Sequence, residues 1–262
     1  MTTPAPSSFS FEPLFLALAV LAAVAYARGA RTKKPTRGRA FLFGLGLALI
    51  AIGLNSPLET IAAHYLLVIH LLQNVMIADW APPLLILGLT PGMRAAVARR
   101  GGRILGTLTQ LKVALPVWLV SWYGIHLAGF YDFALENPWA LNVEHALLIA
   151  TGTIFWWPVL ADEPHRVGAG LKVGYLGAAF VGSVFLGLAL TFSPEPFYDF
   201  YEAAPRIWGV SPAQDQNLGG VLMSAEQSFV FLAAIAYFVL RLIPDEEPPT
   251  RSTSPPPSVD RE

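Results

Sequence analysis

The run from Ile61 to Leu89, IAAHYLLVIHLLQNVMIADWAPPLLILGL, decides the fold. It contains no Lys or Arg and exceeds the ~20 residues a helix needs to cross a bilayer. Yet it carries His64, His70, Gln73, Asn74 and Asp79. Polar groups inside so apolar a run are costly in lipid, so they face a bundle interior or a functional cavity. Pro82 and Pro83 have no N–H to donate, which predicts a kink or break near the end of this span. Asp79, one turn before the pair, is expected to snorkel toward the near surface.

Six further runs flank this one: Phe11 to Ala27, Ala40 to Leu54, Val113 to Phe133, Asn142 to Leu160, Val173 to Phe192 and Leu218 to Leu242. Each is near spanning length. Of 17 Lys and Arg, 16 fall into alternate gaps between runs. Arg28, Arg31, Lys33, Lys34, Arg37 and Arg39 fill the first basic gap, and Arg94, Arg99, Arg100, Arg103 and Lys112 the second. Arg166 and Lys172 stand in the third, and Arg241, Arg251 and Arg261 in the tail. Only Arg206 breaks the pattern. Basic gaps resist translocation, so they are assigned to the cytoplasm. The expected architecture is an all-α polytopic bundle of about seven transmembrane helices, N-terminus outside and C-terminus cytoplasmic. Residues 1–243 form one membrane domain, and 244–262 a disordered, Pro- and Ser-rich cytoplasmic tail.

Composition agrees. The chain of 262 residues is 54% hydrophobic and only 13% charged, against roughly 25% in a soluble domain. The bilayer is therefore its surroundings, and nothing in the charge pattern suits nucleic acid. With no Cys, thiolate metal sites and CxxC redox pairs are excluded, leaving His, Met, carboxylate or amide as copper or zinc ligands. The outer segments hold Glu12, Glu59, Asp132, Glu136, Glu195, Asp199, Glu202 and Asp215 against Arg206 alone, an acidic face that would attract cations weakly. The outer loop Ser193 to Asn217, rich in Pro and aromatics, is expected to form a lid or lie in the interface. Trp156 and Trp157, at the end of the fifth run, suit the headgroup level.

Four of five histidines fall toward the outer face. At about 1.5 Å per residue, His126 lies roughly 10 Å below the outer end of its span, His145 roughly 5 Å and His70 roughly 14 Å. Three imidazoles at similar depth on three spans point to a shared metal site, since neutral imidazole is the commonest copper or zinc ligand. The alternative is interhelical hydrogen bonding by each His separately. His70 shares a face with Gln73 and Asn74. His64 is a rim residue, and His165 a solvated one in a basic gap. Glu144, about 100° around the helix from His145, could serve an imidazole of another helix. Met223, three residues before Glu226, offers a thioether for Cu(I) or simply fills the core. No nucleophile–base–orienter set is present, so catalysis is not expected.

Three segments together resemble the CtaG family of cytochrome c oxidase assembly factors: His70-Leu-Leu-Gln73-Asn74 leading into Ala81-Pro-Pro-Leu-Leu-Ile-Leu-Gly88; His126-Leu-Ala-Gly-Phe-Tyr131-Asp132 followed by Val143-Glu144-His145 and Phe155-Trp-Trp-Pro-Val-Leu160; and Asp215-Gln216-Asn-Leu-Gly-Gly220 with Met223. The resemblance covers roughly Ser56 to Leu240. It implies a multi-pass protein of the bacterial plasma membrane that serves maturation of haem-copper oxidases, at copper insertion. Cytochrome c oxidase subunits would then be partners, with a copper-donating protein upstream. His70, His126 and His145 match family histidines, with Met223 as a further metal ligand. His64, Gln73, Asn74, Glu144, Asp132 and Asp215 would support or rim the site. The chain departs from the family pattern at Leu71, where Met is usual, at Asn74, where a second His is usual, and at Ser224, where Trp follows the Met. Two other readings stay open: a bis-His cytochrome with haem between His126 and His145, and a metal-free scaffold.

Overall fold

The computed structural model describes residues 3–243, and the tail expected over 244–262 lies outside the described residues. Every regular element among the described residues is helical: α1 Pro13–Lys33, α2 Arg37–Leu54, α3 Pro57–His64, α4 Leu67–Val75, a π-helical turn Met76–Trp80, α5 Ala81–Gly88, α6 Pro91–Leu108, α7 Leu111–Ile125, α8 Ala128–Glu136, α9 Pro138–Leu160, α10 Ala169–Phe192, α11 Asp199–Ala203 and α12 Pro212–Leu240. Six segments are long and apolar enough to cross a membrane: α1, α2, α4 through α5, α9, α10 and α12. The seventh is α6 with α7, a pair bent by 74°. Gly102, at φ 51°, breaks the helical path inside α6, a conformation an L side chain rarely adopts.

The central span differs from its expected form. It begins at Leu67 rather than Ile61, because the chain turns extended at Leu66 between α3 and α4. The proline pair does not break it. The π-helical turn before the pair takes up the register change, with the Ala81 N–H bonded back to the Met76 carbonyl, and Pro82 and Pro83 follow as the next residues of α5. Pro82 cannot donate back to the Ala78 carbonyl four residues earlier. That carbonyl points at Gly152 of α9, where an added Cβ would lie 2.2 Å from it. The crossing is close because position 152 has no side chain, and a Cα–H···O contact is open to the unpaired carbonyl there. A second small-residue crossing joins α10 and α12: a Cβ on Gly220 would sit 2.6 Å from the Gly187 carbonyl and 2.4 Å from the Thr191 nitrogen.

Asp79 does not snorkel. It lies on the π-helical turn at 2% exposure, and neither carboxylate oxygen has a hydrogen-bond partner among the described residues. Beside it, Trp80 Nε1 donates to Glu226 Oε1 of α12 at 2.6 Å.

The fourth span also differs. α7 ends at Ile125 rather than Phe133, only about 22 Å of helix. His126 Nδ1 stands 2.7 Å from the Trp122 carbonyl, the acceptor that the next helical N–H would need. Its side chain thus competes with the backbone and stops the helix. His126 therefore caps the end of α7 instead of lying two turns inside it. The chain re-enters as the short helix α8.

Two buried clusters fill the bundle. One packs Leu54, Leu71, Trp122, Tyr131, Leu190 and Tyr198 at the histidine end. The other packs Trp118, Phe155, Trp156, Tyr175 and Phe231 toward the opposite end. Trp156 and Trp157 belong to the second, at 3% and 4% exposure, and so face protein. Aromatic partners explain this: Trp156 stacks on Phe231 at 6.0 Å, and Trp157 Nε1 donates to the Glu163 carbonyl.

The basic gaps converge at one end. Arg39 donates to the carbonyls of Leu87 and Leu89 at the end of α5, and Arg94 to that of Leu160 at the end of α9. Both guanidiniums occupy helix C-termini, where cations are favoured. His165, expected in solvent, instead reaches the Gly106 carbonyl with Nε2 at 2.6 Å, tying this end together.

Candidate metal centre at the histidine end

His70, Gln73 and Asn74 lie on α4 at 0–1% exposure, so the polar face read from the sequence points into the bundle. Gln73 Nε2 donates to Glu59 Oε2, and Glu59 is itself buried on α3. Asn74 Nδ2 donates to Glu144 Oε1 at 3.1 Å. Glu144, fully buried on α9, also places Oε1 3.5 Å from His70 Nε2. The carboxylate thus faces an imidazole of another helix, as the 100° offset from its neighbour His145 requires.

The tautomers of two histidines follow from their partners. Tyr201 of α11 puts its hydroxyl 2.6 Å from the Ala62 carbonyl and 2.8 Å from His70 Nδ1. A carbonyl only accepts, so the phenol proton goes to Ala62, and His70 Nδ1–H donates to the phenol oxygen. Nε2 is then the His70 nitrogen turned toward Glu144. By the same logic His126 Nδ1–H donates to the Trp122 carbonyl, leaving the Nε2 lone pair free. Neither Nε2 has a hydrogen-bond partner among the described residues, nor do both His145 nitrogens, Glu144 Oε2, Asn74 Oδ1 and the Tyr131 hydroxyl.

The rings gather around Tyr131 of α8, which is fully buried. Its centroid is 5.0 Å from His70 and 5.6 Å from His126. His145 meets His70 edge-on at 6.0 Å, and its other flank is closed by Phe15, the one buried residue of α1. Met223 lies in the same cluster at 1% exposure. The structure thus brings His70, His145, His126, Glu144 and Asn74 into one buried region. No three His, Asp or Glu side chains among the described residues converge on a single point as they stand. His64 ends α3, half-buried, with no hydrogen bond or ring contact to this cluster among the described residues.

The outer loop forms a clasp over the region. Tyr198 donates to the His126 carbonyl, and Phe200 N donates to Asp132 Oδ1 of α8. Phe197 N donates to Gln216 Oε1 at 2.6 Å. Asp215, expected in the loop, lies in the first turn of α12 and is fully buried. Its two oxygens accept from Leu67 N and Val68 N, each at 2.9 Å, which caps the N-terminus of α4. Arg206 completes this junction with a 3.1 Å ion pair to Asp215 and bonds to the Tyr65 and Tyr201 carbonyls. The one basic residue on the acidic end is thus neutralised there. Glu59 and Asp215 are both internal, so the acidic face keeps fewer charges than its sequence count.

Tyr131, Tyr198 and Tyr201 are the residues that sequence reasoning passed over. Their signal was present: Tyr131 stands five residues after His126, and Tyr198 and Tyr201 share a face at i, i+3 in a loop already marked as aromatic.

The sequence model of the cytochrome c oxidase caa3 assembly factors (Caa3_CtaG) matches residues 19–244. No curated protein and no solved structure matches the chain. The matched range takes in every histidine and every membrane-spanning segment described above except the first turns of α1, and on that match the chain belongs to the cytochrome c oxidase caa3 assembly factor family.

Proposed function

We propose that the protein carries copper as a transient cargo during cytochrome c oxidase assembly, in the bacterial plasma membrane, with its N-terminus and histidine end outside. The role is non-enzymatic. Its partners are oxidase subunits and a copper-donating protein.

One observation carries this reading: His70 Nε2, with Nδ1 already engaged by Tyr201, faces the carboxylate oxygen Glu144 Oε1 at 3.5 Å. Two acceptors at that separation repel unless a cation or proton lies between them. A metal with bonds near 2.0–2.1 Å to each would subtend roughly 117° there, within the range of trigonal and tetrahedral sites. The Nδ1–H of each of His70 and His126 is already committed to an oxygen, the outer hydrogen bond that orients metal-binding imidazoles. His145, with neither nitrogen partnered, would join by rotation of its ring, while His126 would offer Nε2 as it is held and Met223 a thioether available to Cu(I). Such a site binds incompletely at rest, which suits a carrier that must release its ion. Asn74 holds Glu144 through its amide, where a second imidazole would compete for the metal.

The test is copper content after purification in detergent from copper-supplemented cells, beside oxidase activity of a deletion strain under copper limitation. The reading expects retained copper in the wild-type protein, loss in His70→Ala and His145→Ala, and an oxidase defect that copper supplementation relieves. Equal copper in wild type and both variants, with normal oxidase activity in the deletion strain, would leave the scaffold reading. A Soret band in the purified protein would favour the haem reading.

A further inference from the structure

At the basic end, α1 and α6, with Phe43 of α2, line a half-open cavity of about 740 Å³. Its lining joins apolar and cationic side chains on both helices. On α1 the face Ala22, Ala25, Tyr26 gives way to Arg28, Thr32 and Lys33 over 11 residues, about 16 Å. On α6 the face Met93, Ala96, Val97 gives way to Arg100. Phe43 and Leu89 add apolar wall at the first level. The cavity therefore combines an apolar wall with three exposed cations at its rim.

The cations in it are unspent. Arg39 and Arg94, nearby, are committed to the carbonyl ends of α5 and α9. Arg28, Lys33 and Arg100 make no ion pair and no side-chain hydrogen bond among the described residues. α1 packs loosely: it buries one of its residues, Phe15, at the far end, and meets α6 closely where Gly29 faces Met93 and where the Lys33 side chain lies over Gly92.

We propose that this cavity binds one anionic phospholipid, its phosphate held by Arg28, Lys33 and Arg100 and its first acyl segment lying against Ala22, Ala25 and Val97. A zwitterionic headgroup neutralises its phosphate with its own ammonium, whereas a headgroup with a net negative charge leaves that charge to the three cations. Basic pockets between membrane helices on the positively charged side are suited to such headgroups. The bound lipid would fasten α1 to α6 and so hold Phe15 against His145. This site is separate from the copper reading and stands or falls without it.

Native mass spectrometry of the full chain, released from zwitterionic detergent, tests the assignment with three probes: phosphatidylglycerol, phosphatidylcholine and inorganic phosphate. Wild type should retain one phosphatidylglycerol in preference to phosphatidylcholine. The triple variant Arg28→Gln, Lys33→Gln, Arg100→Gln should bind it about a hundredfold more weakly, and the equally discharged control Arg31→Gln, Arg37→Gln, Arg99→Gln within about threefold of wild type. Ala25→Phe leaves every charge in place but fills the apolar half, and should also abolish retention. It keeps the test decisive if the cavity triple fails to fold. Equal losses in both triples would overturn the proposal in favour of a diffuse surface charge. Inorganic phosphate displacing the lipid at matched concentration, or unaltered retention in Ala25→Phe, would overturn it in favour of a free anion site.

Discussion

Asp215 offers the sharpest test of how the histidine end is held. Its carboxylate accepts two backbone hydrogen bonds at 2.9 Å from the first turn of α4 and pairs with Arg206 at 3.1 Å. Asp215 is fully buried and Arg206 a quarter exposed. Hydrogen bonds to a charged group contribute about 1.5–3 kcal/mol each, so the two backbone bonds account for about 3–6 kcal/mol. The part-exposed ion pair adds only about 1 kcal/mol after screening. Asp215→Ala should therefore cost about 4 kcal/mol, because two N–H groups at a buried helix end lose their acceptor. Asp215→Asn should cost roughly half as much, since the amide oxygen can serve one N–H while its NH₂ faces the other. Arg206→Ala should cost about 1 kcal/mol. Reversible unfolding in mixed micelles, followed by helical circular dichroism, measures all three. A loss below about 1 kcal/mol for Asp215→Ala, or an Arg206→Ala loss equal to it, would refute the cap as the main contribution.

Gly152→Ala should destabilise by about 3 kcal/mol or more, because its Cβ would lie 2.2 Å from the Ala78 carbonyl and α9 must move away. Gly124→Ala, where nothing lies within 4 Å, should be neutral or slightly stabilising, and the pair can be compared by thermal melts. Burial on α3 raises the Glu59 carboxyl from an ordinary value near 4.5 to about 8, against the opposing hydrogen bond from Gln73. The folded state then holds a proton between those values that the unfolded chain has lost. Its contribution is full below pH 4.5 and disappears as pH rises through 8. Glu59→Gln should flatten that decline when stability is measured from pH 5 to 8, and parallel slopes in the two proteins would exclude it. Asn74→His should raise copper retained on purification, since imidazole is a better copper ligand than an amide.

The sequence by itself determined the class of the molecule. Spanning runs and alternating basic gaps decide a helical membrane bundle, because lipid requires the backbone to satisfy its hydrogen bonds within such runs. The helical period likewise put His70, Gln73 and Asn74 on one face and turned Glu144 away from His145. What periodicity cannot supply is where a helix stops and what meets it from a distance. His126 ends α7 by taking the Trp122 carbonyl with its own side chain, a local competition that hydropathy does not register. The proline pair is absorbed by a π-helical turn whose freed carbonyl finds a glycine 74 residues further along the chain. Asp215, 148 residues from Leu67, caps α4, and Tyr201, 131 residues from His70, selects that imidazole's tautomer. These contacts belong to the packing of whole helices. Tertiary structure alone decided which imidazole nitrogens are left without a partner.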